Sequence, residues 1–159
     1  MKKAVSIAIL FLFLASISVP FPAKAQVRQL TIFLYAAKFV CGKSDGRIVS
    51  PGQYFTAINV HNPGREGVHF RKKIAVALPS EKAGPVSRFF EARLGPDEAL
   101  EIDCPDIQRH AGAGNERFLK GFVVIESPTE LDVVAVYTAA GSTGQIQTMA
   151  LERVPAQKP

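Results

Sequence analysis

Short apolar blocks and polar–apolar alternations succeed one another along this chain, and turn-forming residues separate them. The densest stretch is 120–139, KGFVVIESPTELDVVAVYTA, where residues 122–125 and 131–138 flank a polar break at 126–130 containing Pro128. Val, Ile, Phe and Tyr dominate both runs, and β-branched and aromatic side chains suit a pleated surface. A break of about five residues predicts that the runs fold back on each other as an antiparallel hairpin. Both runs are apolar at even and odd positions, which predicts strands covered on both faces.

The remaining blocks follow the same logic. Residues 30–41 (LTIFLYAAKFVC) predict a central strand, and 42–52 a turn-rich loop. A second strand spans 53–61, with Tyr54, Thr56, Ile58 and Val60 on one face; a turn cluster occupies 62–67. A third strand spans 68–78, with Phe70, Ile74, Val76 and Leu78 on one side and Arg71 and Lys73 on the other. Lys72 interrupts the apolar side. The period changes at 85–94, where Val86, Phe89, Phe90 and Leu94 form one helical stripe and Gly95-Pro96 a stop, predicting a short helix. Period two returns at 99–104: Leu100, Ile102 and Cys104 point one way, Glu101 and Asp103 the other. Pro105 opens a helical turn at 105–110, and 145–154 reads as the last strand.

Seven strands, short connections, one short helix at 85–94 and no βαβ alternation predict an all-β protein, an antiparallel two-sheet β-sandwich with an immunoglobulin-like outline. The chain has no Trp, so the core tryptophan of antibody domains is missing.

The N-terminus changes how the composition is read. Met1-Lys2-Lys3 is positive, 4–19 is apolar, Pro20 and Pro22 break a helix, and Ala23-Lys24-Ala25 is a small-x-small site. This is the layout of a secretory signal peptide at 1–25, with the cut between Ala25 and Gln26. As a helix the apolar run spans about 24 Å, short of the roughly 30 Å hydrocarbon core, so a retained anchor is disfavoured. Residues 26–159 then form a single domain with no membrane span. Cleavage removes three lysines and no acid, so the formal charge falls from +5 to +2, and the basic pI no longer argues for nucleic acid. Arg71-Lys72-Lys73 is the longest basic run, read as a solvated strand edge. Two cysteines, Cys41 and Cys104, remain in the exported part and predict one disulfide.

Candidate chemistry is sparse. Asp97, Glu98, Glu101, Asp103 and Asp106 cluster, but without the loop spacing that gathers six to eight oxygens around calcium. His61 and His69 flank the 62–68 turn and would face each other if the turn closed symmetrically; with His110 they are candidate ligands for zinc or copper. Nucleophile elbows, phosphate-cradling loops and dinucleotide fingerprints are absent.

The strings YAAKFVCG (35–42), YFTAINVHNP (54–63), LGPDEALEIDC (94–104) and the 120–139 stretch resemble a group of uncharacterised secreted or periplasmic bacterial proteins. The resemblance implies export and one domain, and carries no cofactor or site residue. The expectation is an exported non-enzymatic β-sandwich in the periplasm or medium. It binds an unknown protein or envelope component, or serves as an envelope structural module, with loops 42–52 and 62–67 as recognition candidates. The alternative is a metal-binding protein or metal-dependent enzyme using His61, His69 and His110. Polymerisation by strand exchange is a third possibility, for which the 26–29 extension is short.

Overall fold

A computed structural model describes residues 32–112, 118–141 and 145–157, with only the backbone of 146–148. The predicted signal peptide at 1–25 and the 26–29 extension lie outside the described residues. Among these residues nine strands and one helix follow in chain order: β1 (Phe33–Ser44), β2 (Gly52–His61), β3 (Val68–Ala77), β4 (Ala83–Val86), β5 (Phe90–Leu94), β6 (Ala99–Asp103), α1 (Cys104–His110), β7 (Phe118–Ser127), β8 (Asp132–Ala140) and β9 (Ile146–Arg153). All pairings are antiparallel.

The strands form two hydrogen-bonded halves. In the first, β7 lies between β1 and β3, and β4 and β5 share the outer edge of β3. In the second, β2 lies between β6 and β8, and β9 closes the far edge. Three rungs between β1 and β2, from Gly42 opposite Tyr54 to Ser44 opposite Gly52, join the halves. Beyond them the strands diverge, and the buried Thr56 hydroxyl substitutes for a further rung: it donates to the Val40 carbonyl and accepts from the Val40 N–H, both at 3.0 Å.

One parity of each inner strand supplies the core. Tyr35, Ala37, Phe39 and Cys41 of β1 are buried, as are Ile74 and Val76 of β3 and Val123 and Ile125 of β7. Ile58, Val60, Ile102, Val133 and Ala135 are buried in the second half. The predicted disulfide is present: Cys41 is bonded to Cys104, with Cα atoms 5.5 Å apart, and ties β1 to the start of α1.

Four expectations are corrected. The helix at 85–94 is two short strands, because β3 has an outer edge whose backbone groups need partners. Val86 lies opposite Ala75, Leu94 opposite Val68, and between them Ser87 bonds Ile74 through both backbone and hydroxyl. Among the described residues the strand count is therefore nine, and the helix lies at 104–110, where Asp103 caps the Asp106 N–H and Pro105 occupies the first turn. The runs at 122–125 and 131–138 are not a hairpin: β7 pairs with β1 and β3, β8 with β2 and β9, and 128–131 carries the chain across between halves. Nor are those strands covered on both faces, since Phe122 is 40% exposed. Finally, 71–73 is not on an edge. Arg71 and Lys73 face outward from an internal strand, and Lys72 points the other way.

Candidate functional site

The histidines proposed as metal ligands are distributed over both halves. β2 and β3 do not pair, so His61 and His69 are not cross-strand neighbours: His61 lies opposite Ala99 and Asp132, His69 opposite Arg93. His110 ends α1 with its ring 4.2 Å from that of Phe90. Among the described residues no three His, Cys, Asp or Glu side chains are grouped to hold a metal ion. His61 instead contacts two carboxylates, Asp97 at 3.0 Å and Asp132 at 3.5 Å. The Asp97 hydrogen bond, with Asp132 adding to it, raises the imidazole above its ordinary pKa.

The acidic cluster is likewise divided among local tasks. Glu98 accepts the Gly95 N–H at 2.6 Å, Asp103 caps α1, and Asp106 pairs with Arg109. The 62–67 turn is held shut by buried Asn62, whose amide donates to the carbonyls of Glu66 and Gly95 at 2.8 Å each. In the other candidate loop, Ser44 donates to the Val49 carbonyl and Tyr54 to that of Ser50.

A cleft between the halves forms around Lys72. Its neighbours of the same parity on β3, Phe70 and Ile74, are buried. Lys72 therefore projects between the halves rather than into solvent, and is half-buried. There it lines a cleft of about 110 Å³ with Ile74, Phe90, Ile102, Val123, Asp106 and His110. β3, β5 and β7 supply one wall; β6 and α1 supply the other. No hydrogen bond or ion pair holds the Lys72 ammonium among the described residues. Burial lowers its pKa, and the charge of Asp106 opposes that effect without cancelling it. A cleft walled by Ile74, Phe90, Ile102 and Val123, in which Lys72 has the Asp106 charge nearby but no bonded partner, can accept an anion, since a half-buried charge without a hydrogen-bonded partner is held at a cost.

Among the described residues three depressions are larger: one of about 320 Å³ is lined by Lys82 and Lys120, and in the other two the facing charges are paired. The one of about 230 Å³ beside His69 is walled by Arg71 and Glu126, which satisfy each other at 2.6 Å. The one of about 240 Å³ beside Tyr35 holds Asp132, already paired with Arg153. The alternation of 68–78 exposed Lys72 as an exception to the apolar face; the other walls of the cleft come from segments 16 or more residues away and were not signalled as its neighbours.

The fold and disulfide define an antiparallel β protein with one cross-link. No protein-family model matches the chain, and no curated protein matches it significantly. Among solved structures it is similar to Thermotoga maritima 1070, a protein of that bacterium known from a crystal structure. The likeness has a TM-score of 0.50 at 12% identity and covers 79% of this chain and 92% of that one. At that identity it concerns fold alone.

Proposed function

We propose that this chain is an exported, non-enzymatic β-sandwich of immunoglobulin-like outline that binds a small carboxylate-bearing ligand in the Lys72 cleft. The signal-like N-terminus and the disulfide support export, and no helix among the described residues is long and apolar enough to cross a membrane. Contacts between the halves support the layered arrangement: the Cys41–Cys104 bond, the Thr56–Val40 pair and the Tyr35–Leu131 hydrogen bond.

The observation that carries the binding reading is Lys72 itself, a half-buried cation with no bonded counter-charge among the described residues, facing a cleft. The cleft has room for roughly four water-sized groups, which selects a ligand of acetate or propionate size. Ile74, Ile102 and Val123 would cover its alkyl end, and Phe90 its flank. So small a ligand binds weakly, on the order of millimolar, because few atoms are in contact.

The experiment is a titration with acetate, and with neutral acetamide as the isosteric control, followed by amide and side-chain NMR. Saturable shifts at Lys72, Phe90 and His110 with acetate alone, absent in Lys72→Met and stronger in Asp106→Asn, are expected. Equal response to acetamide, or acetate binding that persists in Lys72→Met, overturns the reading.

A further inference from the structure

The strand register gives the outer face of the first half a definite composition. Opposite residues share a face, so the rungs read Lys38–Phe122–Ala75–Val86, then Ala36–Val124–Lys73, then Leu34–Glu126–Arg71, with Lys120 beside Val40. Across β1, β7 and β3 this places Lys38, Lys73, Lys120 and Arg71 with a single carboxylate, Glu126, among the described residues. β5 adds Glu91 and Arg93, which cancel. The outer face of the other half has more acids than bases: Glu101, Asp103 and Asp132 with Arg153 and the titratable His61. The molecule thus has one positive and one negative side.

The positive side is also apolar at its centre. Phe122 is 40% exposed and Val86, two strands away on the same rung, 61% exposed. Aromatic rings hold the cations in position: Lys38 Nζ lies 5.2 Å from the Phe122 centroid, and Lys73 Nζ 4.5 Å and Arg71 Cζ 4.2 Å from that of Phe89. The area is about 10 Å between the outer strands and roughly 20 Å along them.

We propose that this face docks on an anionic lipid bilayer. A linear polyanion, whether polysaccharide or nucleic acid, engages a track of cations and leaves Val86 and Val124 against polar groups. A bilayer surface matches both components of the face: phosphates meet the ammonium groups of Lys38, Lys73 and Lys120, and Phe122 and Val86 enter the acyl boundary below. Each cation contributes about a fivefold gain in partitioning onto an anionic surface. This inference does not depend on the Lys72 cleft, because Lys72 points to the opposite side of β3.

The test is co-flotation of the full chain with phosphatidylglycerol-containing vesicles and with neutral phosphatidylcholine vesicles. Any leader retained on the chain is common to the parent and its variants, so the readout is the difference between parent and variant on the anionic vesicles. Binding to the anionic vesicles alone, weakened by salt, is expected. Lys38→Glu/Lys73→Glu/Lys120→Glu should lower it by about 100-fold or more, and Phe122→Ser should lower it at unchanged charge. Circular dichroism of each variant establishes that it is folded. Should folded triple-Glu protein float as well as the parent, or should the parent bind soluble polyanion and ignore anionic vesicles, the proposal is overturned.

Discussion

The Tyr35 hydroxyl accepts the backbone N–H of Leu131 at 2.7 Å, joining β1 to the segment that leads into β8. Both residues are buried, so this bond replaces one that water cannot supply. Tyr35→Phe keeps the ring and strands the N–H. The expected loss is about 2 kcal/mol, read as a lower urea midpoint with unchanged slope.

The Cys41–Cys104 bond closes a loop across 63 positions. Reduction, or Cys41→Ala with Cys104→Ala, should lower stability by about 4 kcal/mol if loop-closure entropy dominates. Denaturation with and without reductant measures this directly. A double-alanine protein as stable as the oxidised parent would refute the entropic account.

β7 carries Gly121 where it passes between β1 and β3. A Cβ there would lie 2.1 Å from the Ala75 carbonyl oxygen and 2.9 Å from the Phe39 ring. Because the nearer obstacle is backbone, the strand itself has to move. Gly121→Ala should cost about 3 kcal/mol, measured by chemical denaturation.

The Asp97 contact, reinforced by Asp132, raises the His61 pKa. A raised folded-state pKa stabilises the fold fully below the ordinary imidazole value near 6.5, and this contribution is lost as pH rises through the folded value. An NMR titration should therefore place His61 above the ordinary range, and Asp97→Asn should bring it down. The effect on stability should be small, since the pair is exposed.

Replacing Lys72 separates binding from folding. Lys72→Met keeps the length of the side chain and removes a half-buried charge, so it should gain on the order of 1 kcal/mol. The same substitution should abolish the acetate response. A variant that is more stable and no longer binds marks a residue retained for its chemistry.

The parts legible in the sequence were those whose determinants are local. All seven anticipated strand regions are occupied by strands where described, the cysteines are bonded, and Pro105 opens the helix. What escaped depends on neighbours distant along the chain. The spacing of Val86, Phe89, Phe90 and Leu94 fits a helical stripe, yet the bare edge of β3 claims both ends of the segment as strand. The 126–130 break has the length of a hairpin turn, but both edges of β7 are already taken by β1 and β3. His61 and His69 flank a turn whose two arms belong to different halves. Lys72 was visible as an oddity, whereas its cleft required α1 and β5 to be placed first.

The interleaving of strands has a consequence for synthesis. The first half needs β7 before it is whole and the second needs β9, so each is assembled from pieces made early and pieces made last. A chain emerging from the ribosome cannot complete either half until Ser127 has appeared, and such non-local pairing is slow to form. The polypeptide thus stays without either completed half for most of its synthesis.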